Sequence, residues 1–409
     1  RSDSGRSTAA DRRDRALEST AAGTMARPLF VAAVRQHVGK TTVSLALMNG
    51  LRKRFGKVGF IKPVGQQHVN VEHNGEMVRV DKDVQLMKEY FGLDDLDYPD
   101  MSPVLIPRNY TKRFIDGEIT AETQATAIRE SYARVAAASD AVLFEGTGHV
   151  GVGSIVDMSN SQVAALVGAD VVLVANGGLG SAFDDLELNR ALLERHGVRI
   201  KGVVINKVLP EKEAMMRDYF GRLLEGRWGV PLLGVVPNLP LLAKPTLGDI
   251  EGVLGAELLG GRHCRPYHYS SESISLVTSG VRRFLNRARE KQTGNGRGAT
   301  RGSRTRPLFI THCTRDDIVL AFLAFHQKNQ DARASSWDDP TATEKWSGAL
   351  ILCRGGCTDA NPQSEDQTTL PYLMQLVAAY NAPVMVTDLG AIAAADAIHA
   401  HTAKFHIGD

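Results

Sequence analysis

The sequence has little that would hold it together covalently or commit it to a highly charged partner. Four cysteines occur in 409 residues: Cys264, Cys313, Cys353 and Cys357. They are too few and too scattered for the disulfide framework of a small secreted domain. Cys353 and Cys357 stand four apart, but no second pair with ligand spacing accompanies them. Reduced thiols in a cytosol-like compartment are therefore expected rather than zinc. Neither sign of charge dominates: 48 Lys and Arg against 46 Asp and Glu leave a formal charge of +2. That balance gives no reason to expect a nucleic-acid partner. No run of eighteen or more apolar residues exists, so no transmembrane helix and no membrane partner are expected. What remains is 43% hydrophobic and 23% charged, ordinary for a globular chain, and long enough for two domains.

Residues 1–27 are polar, rich in Arg, Ser and Ala, and read as a disordered tail. Asp3, Asp11, Asp14 and Glu18 offset the arginines, which argues against a transit peptide. A cytoplasmic location is expected, with organellar import left open. The chain begins at Arg1, and Met25 is a candidate internal start.

From Leu29 to about Leu242 strands and helices alternate. The apolar runs Phe30–Val34, Val58–Val64, Ala141–Phe144, Val171–Ala175, Gly202–Val208 and Leu232–Val236 are continuous, as in parallel strands covered on both faces. Helical patterns at Thr41–Phe55, Asp83–Phe91, Ala121–Ser139, Gln162–Val167 and Asp184–His196 separate them. The expected fold class is α/β, a doubly wound and mostly parallel sheet over residues 28–245. Residues 246–409 read as a second, smaller α/β domain. Its expected strands are Ser275–Thr278, Leu308–Thr311, Gly348–Leu352, Val384–Val386 and Lys404–His406, with polar insertions at 289–306 and 332–345. The basic insertion lacks interleaved aromatics, so it reads as a solvated loop rather than a nucleic-acid contact.

The β-branched run Phe30–Val34 leads through a turn into Gly39-Lys40-Thr41-Thr42, and then into a helical pattern with Val43, Leu47, Met48, Leu51 and Phe55. Strand, loop, Gly-Lys-Thr and helix is the order of a phosphate-binding loop. Amides at the helix start point at an anion, and the helix dipole favours negative charge there. In this reading Val38, Gly39, Lys40, Thr41 and Thr42 bind nucleotide. Lys40 reaches the β/γ-phosphates and the Thr41 hydroxyl holds Mg²⁺. The plain alternative is an ordinary helix start, and the flanking strand and helix favour nucleotide.

Other polar residues follow strand ends, where ligands of such sheets sit. Lys62 either stabilises charge on a phosphoryl group or carboxylate, or is simply solvated. One of Asp81 and Asp83 holds Mg²⁺, or Asp83 caps a helix. Glu145 stands where such enzymes keep an acidic magnesium group, and a carboxylate closing a buried strand needs a partner. Asn176–Ser181 reads as a tight turn rather than a second substrate-facing loop, with Asp184 and Asp185 capping the next helix. Asn206 either pairs with an adenine edge or ties down a turn. Pro237 offers a wall to a planar base. His312 beside Cys313 suggests a nucleophile pair but shows no third orienting group. The Thr311–Asp317 turn reads as helix caps with room for a ligand role.

Val38–Thr42, Phe60–Val64 and Val80–Asp83 resemble the dethiobiotin synthetase-like P-loop group. Phe144–His149, Ala175–Ser181 and Gly202–Lys207 resemble the N-terminal region of long phosphotransacetylases, which is of that type. Thr314–Ile318 and Arg354-Gly355-Gly356 are similar to the DRTGG domain that follows it. The resemblance implies ATP and Mg²⁺ as cofactors, Lys40 on phosphates, and Thr41, Asp83 and Glu145 as magnesium ligands. It implies Lys62 on phosphate or a substrate carboxylate, and Asn206 and Pro237 around adenine. The chain departs from the pattern at Ala33, where the synthetases have a first loop glycine. It departs again at Gly65-Gln66, where they present a substrate-binding serine, and at Asp316-Asp317, where the DRTGG glycines belong. Arg35 lies four residues before Gly39, the place of the signature lysine in dimeric partition ATPases. It is read as a phosphate-reaching arginine, in cis or across a homodimer, against an exposed loop arginine.

Three functions follow from this reading. One is a Mg-ATP-binding sensor with weak ATPase activity that regulates a partner. Another is an ATP-dependent carboxylate-activating ligase. The third is a subunit or fragment of a phosphate acetyltransferase, whose catalytic domain this chain does not contain. A small carboxylate or acyl-phosphate is the expected second ligand.

Overall fold

A computed structural model of the chain describes residues 26–270, 273–293, 306–330, 346–355 and 371–401. The chain divides between Asn238 and Leu239 into two compact units. The first contains strands β1 (Arg27–Ala33), β2 (Val58–Ile61), β3 (Val64–Gly65), β4 (His68–His73), β5 (Glu76–Asp81), β6 (Val104–Leu105), β7 (Ala141–His149), β8 (Asp170–Asn176), β9 (Ile200–Val208) and β10 (Leu232–Pro237). Six of them form one sheet in the order β10-β9-β8-β1-β7-β2, and every pairing is parallel. Helices cover both faces, which is why Phe30, Val31, Ala32 and Ala33 are all buried and the strand needs no polar alternation. The chain leaves β1, crosses through the helix Lys40–Arg52 to the sheet edge at β2, and later returns to β7 and β8 on either side of β1. In doubly wound sheets such a reversal marks the place, at the carboxyl end of the strand, where ligands bind.

Several boundaries differ from the sequence reading, each for a local reason. Ala26 and Arg27, assigned to the tail, belong to the fold: Ala26 is buried and its carbonyl accepts from the Tyr132 hydroxyl at 2.8 Å. The rest of that tail lies outside the described residues. The run Val58–Val64 ends at Ile61 because Pro63 has no N–H for a ladder, and the Lys62 N–H turns to Met101 O. An antiparallel hairpin, β4 with β5, was not expected. It folds about Asn74-Gly75, both left-handed (φ 53° and 83°), and Asn-Gly is the usual signal for such a turn. The helix Glu213–Trp228 was also not read, although Met216, Phe220 and Leu224 mark its buried stripe at helical spacing. Asp81, not Asp83, caps the helix Lys82–Phe91, accepting from the Asp83 N–H at 3.0 Å. The helix Leu179–Arg195 starts well before Asp184 and Asp185, so neither caps it.

The second unit holds a five-stranded sheet of β11 (Glu257–Leu258), β12 (Ile274–Leu276), β13 (Leu308–His312), β14 (Ala349–Gly355) and β15 (Val384–Gly390). Its order is β11-β15-β14-β13-β12, parallel except for β11. Residues 289–293, assigned to a polar insertion, continue the helix Val281–Thr293. The remaining insertion residues 294–305 and 332–345, the expected strand Lys404–His406 and Cys357 lie outside the described residues. Cys264, Cys313 and Cys353 are buried. Among the described residues, no helix is long and apolar enough to cross a membrane.

This unit carries a buried titratable group. His326 lies against Phe322 and Trp346, 6.3 and 6.0 Å between ring centroids, and its Nδ1 has no hydrogen-bond partner among the described residues. Burial, reinforced by His263, pushes its pKa down from 6.5 to about 4. The folded state therefore holds a neutral ring where the unfolded chain binds a proton. The stability this contributes is complete above pH 6.5 and is lost as pH falls toward 4, on the order of 2–3 kcal/mol. Chemical denaturation of wild type and His326→Phe at pH 7.5 and 4.5 should show the smaller acid loss in the variant.

Candidate functional site

The site forms where β1 and β7 part. The ladder pairs Val31 with Glu145 and next Ala33 with His149. Two steps along β1 thus face four along β7, and Gly146-Thr147-Gly148 bulges out. The bulge turns Glu145 and the Gly148 carbonyl toward the helix that follows β1. On that side the chain runs through Val34–Val38 to Gly39, which is left-handed at φ 87°. A Cβ at Gly39 would run into Asn206 Nδ2, so both backbone angle and space require glycine. The helix Lys40–Arg52 then begins with no side-chain cap and no acidic residue in its first turn. Its amide end and positive dipole are left for an anion.

Three elements converge on this helix start. Lys40 Nζ donates to Gly148 O at 2.7 Å, and Thr41 Oγ1 donates to Glu145 Oε1 at 3.0 Å. From the end of β2, Lys62 (4% exposed) sends its ammonium to Asp83 Oδ2 at 2.7 Å, Glu145 Oε1 at 3.1 Å and Gly146 O at 3.3 Å. Burial alone would lower the Lys62 pKa, but the carboxylates of Asp83, Glu145 and Asp81 outweigh it and hold it above the ordinary value. Burial would raise Asp83, yet Lys62 keeps it below the usual carboxylate range. Asp81 is pushed up to about 6, first by burial and partly by Asp83, with Lys62 opposing.

Glu145 is 1% exposed, and its Oε2 has no hydrogen-bond partner among the described residues. A buried carboxylate oxygen left bare costs free energy unless something occupies it. Lys62 bonds to two carboxylates, Asp83 and Glu145, and a third, Asp81, acts on it through its charge, so one buried ammonium faces three carboxylates, with Glu145 at the Thr41 hydroxyl. These features fit a divalent cation. Among the described residues, no group of three or more His, Cys, Asp or Glu is arranged to hold a metal by itself. A cation here would rest on Thr41, one or two carboxylates, water and phosphate oxygens, which is the donor set Mg²⁺ takes.

The remaining expected residues lie along the same edge. Val38 is buried and Thr42 half-buried at the loop and the first helical turn. Asn206, buried at the end of β9, donates from Nδ2 to Val38 O at 2.8 Å, and Lys207 Nζ donates to His37 O at 2.7 Å. Asn206 therefore braces the phosphate loop. Pro237 ends β10, in register with Val208 of β9. Arg35 is exposed and meets Asp185 of the helix Leu179–Arg195 through two bonds, Nε–Oδ2 at 2.6 Å and Nη2–Oδ1 at 2.8 Å. In the second unit His312 Nδ1 meets Thr314 Oγ1 at 2.8 Å, and Arg315 pairs with Asp317.

Two asparagines were missed. Asn160 holds the bulge by accepting from Thr147 N and donating to Thr147 O and His149 O, at 3.1, 2.8 and 2.6 Å. Its neighbours Ser159 and Gln162 form a capping box, a sequence signal that places Asn160 at a helix start facing β7. Asn189 touches both loops and carries no comparable local signal.

Residues 27–246 match the family profile AAA_26, described as an AAA domain. Over 245 residues the chain is 29% identical to a phosphate acetyltransferase of Nitratidesulfovibrio vulgaris, covering 58% of this chain and 33% of that enzyme. Over 214 residues it is 24% identical to an ATP-dependent dethiobiotin synthetase of Methanocaldococcus jannaschii, covering 51% of this chain and 94% of that enzyme. The matched region thus spans about a third of the phosphate acetyltransferase. Among solved structures, a plasmid partition protein of Borrelia burgdorferi bound to AMPPNP resembles it in fold. The TM-score is 0.35 and the identity 13%, over 53% of this chain and 88% of that one.

The ion cluster carries a stability consequence. Lys62→Ala leaves Asp83 and Glu145 buried without their cation. Denaturant titration should show a loss of roughly 3 kcal/mol or more.

Proposed function

The chain belongs to the AAA domain family through residues 27–246, and from that premise we propose that its first unit binds Mg-ATP and turns it over slowly as a nucleotide sensor. The observation that carries the proposal is the pairing of the Thr41 hydroxyl with Glu145 Oε1 while Glu145 Oε2 stays buried and, among the described residues, bare. That arrangement at an uncapped helix start suits a magnesium-bound phosphate. Bound Mg²⁺ would neutralise charge on the β- and γ-phosphates. The Lys40 ammonium would leave Gly148 O for a phosphate oxygen, and the amides of Gly39–Thr42 would hold the phosphate body. Asn206 would keep the loop in shape from below, with Pro237 at the base side. Lys62, already drawn toward Asp83 and Glu145, would steady the transferring phosphoryl group. The Gly65-Gln66 pair in place of a substrate serine supports a sensor over a ligase.

The same proposal extends to the second unit, the partner and Arg35. The second unit would act as a DRTGG-like regulatory domain, supported by the Thr314–Ile318 turn after β13. The partner regulated would be an enzyme of acyl-phosphate chemistry, supported by the similarity to phosphate acetyltransferase. Arg35 would exchange Asp185 for a phosphate oxygen, in cis or across a homodimer.

Calorimetric titration tests the central claim: Lys40→Ala should abolish Mg-ATP binding, and undiminished affinity would overturn it. Thr41→Ala should keep ATP binding but lose most of its dependence on Mg²⁺. Arg35→Ala should slow ATP hydrolysis at least tenfold, and an unchanged rate removes the arginine's role. Phosphate release seen only with an added carboxylate or amine would favour the ligase instead.

A further inference from the structure

Val34 and Val150 are the first residues after the ladder between β1 and β7 ends at Ala33 and His149. Val34 N–H still pairs sideways, with Val174 O of β8 at 3.0 Å. Its carbonyl and the Val150 N–H would continue the ladder between the two loops. Instead, one side chain stands between them. Asn189 Oδ1 accepts from Val150 N at 3.1 Å, and Asn189 Nδ2 donates to Val34 O at 3.2 Å. The same Nδ2 donates to Asp185 O at 2.8 Å within its own helix. Asn189 is 9% exposed. Two carbonyls on one side and an N–H on the other settle the orientation of the amide.

We propose that Asn189 is a positioning residue of the nucleotide site, a side-chain amide that acts as a peptide unit between the phosphate loop and the loop carrying Glu145. The proposal rests on the Mg-ATP reading of that site. The phosphate loop presents Lys40 and Thr41, while the other loop presents Glu145 and the Gly148 carbonyl. Their separation sets whether Thr41 and Glu145 can share one cation. Asn160 shapes the second loop internally but makes no hydrogen bond to the first. Asn189 bonds to both. It also sits one helical turn from Asp185, the partner of Arg35, so the brace and the arginine share one helix. Of the common side chains of this size, only asparagine accepts and donates in one plane. Aspartate keeps the shape and the acceptor but aims a second acceptor at Val34 O. Alanine removes both bonds to the loops and the one to Asp185 O.

The test is calorimetric titration of wild type, Asn189→Ala and Asn189→Asp with ATP, each with and without Mg²⁺, alongside thermal melts. Both variants should bind Mg-ATP about tenfold weaker or worse, and the loss should be much smaller without Mg²⁺. A purely structural residue would lower the melting temperature yet leave the affinity of the folded protein and its Mg²⁺ dependence at wild-type values, and that result overturns the proposal. Asn189→Asp, which keeps the volume, answers the question should Asn189→Ala fail to fold. If wild type itself binds no ATP, the nucleotide reading falls and this inference falls with it. If wild type binds and the variants bind equally well, only this inference falls.

Discussion

Burying a lysine among three carboxylates at the end of a parallel sheet is the constraint on which the first unit depends. Desolvating such charges costs several kcal/mol per ion, and their mutual attraction offsets this only when the geometry is close and every lone pair is used. Lys62 meets Asp83 and Glu145 at close range, yet Glu145 Oε2 remains bare among the described residues, and three carboxylates face the one buried ammonium. A fold selected for stability alone has little reason to keep this arrangement. The cluster faces an uncapped helix start and a threonine hydroxyl, where a cation and a polyanion can complete it together.

Holding that cluster open requires rigid backbone on both sides. The β7 bulge aims Glu145 inward, and Asn160 locks the bulge with three bonds. The phosphate loop is locked by Asn206 and Lys207 on its own carbonyls, close enough to Gly39 that no side chain fits there. Amide side chains suit this work because they satisfy buried backbone donors and acceptors without adding charge to a site already rich in it. The residues around the cluster are thus largely uncharged braces.

Much of this was legible in the chain. The continuous apolar runs marked the parallel strands, and the Gly-Lys-Thr motif marked the phosphate loop, because both depend on local pattern. Glu145, Lys62 and Asp83 were legible as strand-end or helix-start residues, and the structure brings them within bonding distance of each other. The hairpin at Asn74-Gly75 and the stripe of the helix Glu213–Trp228 also had local signals. Asp81 as cap was not legible, because the cap position depends on where that hairpin ends. The partners that Asn206 and Asn189 brace on the phosphate loop were not legible either, since a bond across more than a hundred residues leaves no trace in spacing, whereas Asn160 bonds within 13 residues beside a capping-box signal.

By itself the sequence determined the fold class and which residues stand at the candidate site, because hydrophobic periodicity and a loop of Gly-Lys-Thr between strand and helix act over a few residues. Only the tertiary structure decided the geometry: the offset between β1 and β7, the sharing of one ammonium by carboxylates from different elements, and the amide bridge between the two loops. Those features come from strands distant in sequence being laid side by side. Their register is set by packing of the whole sheet, which no single stretch of the chain encodes.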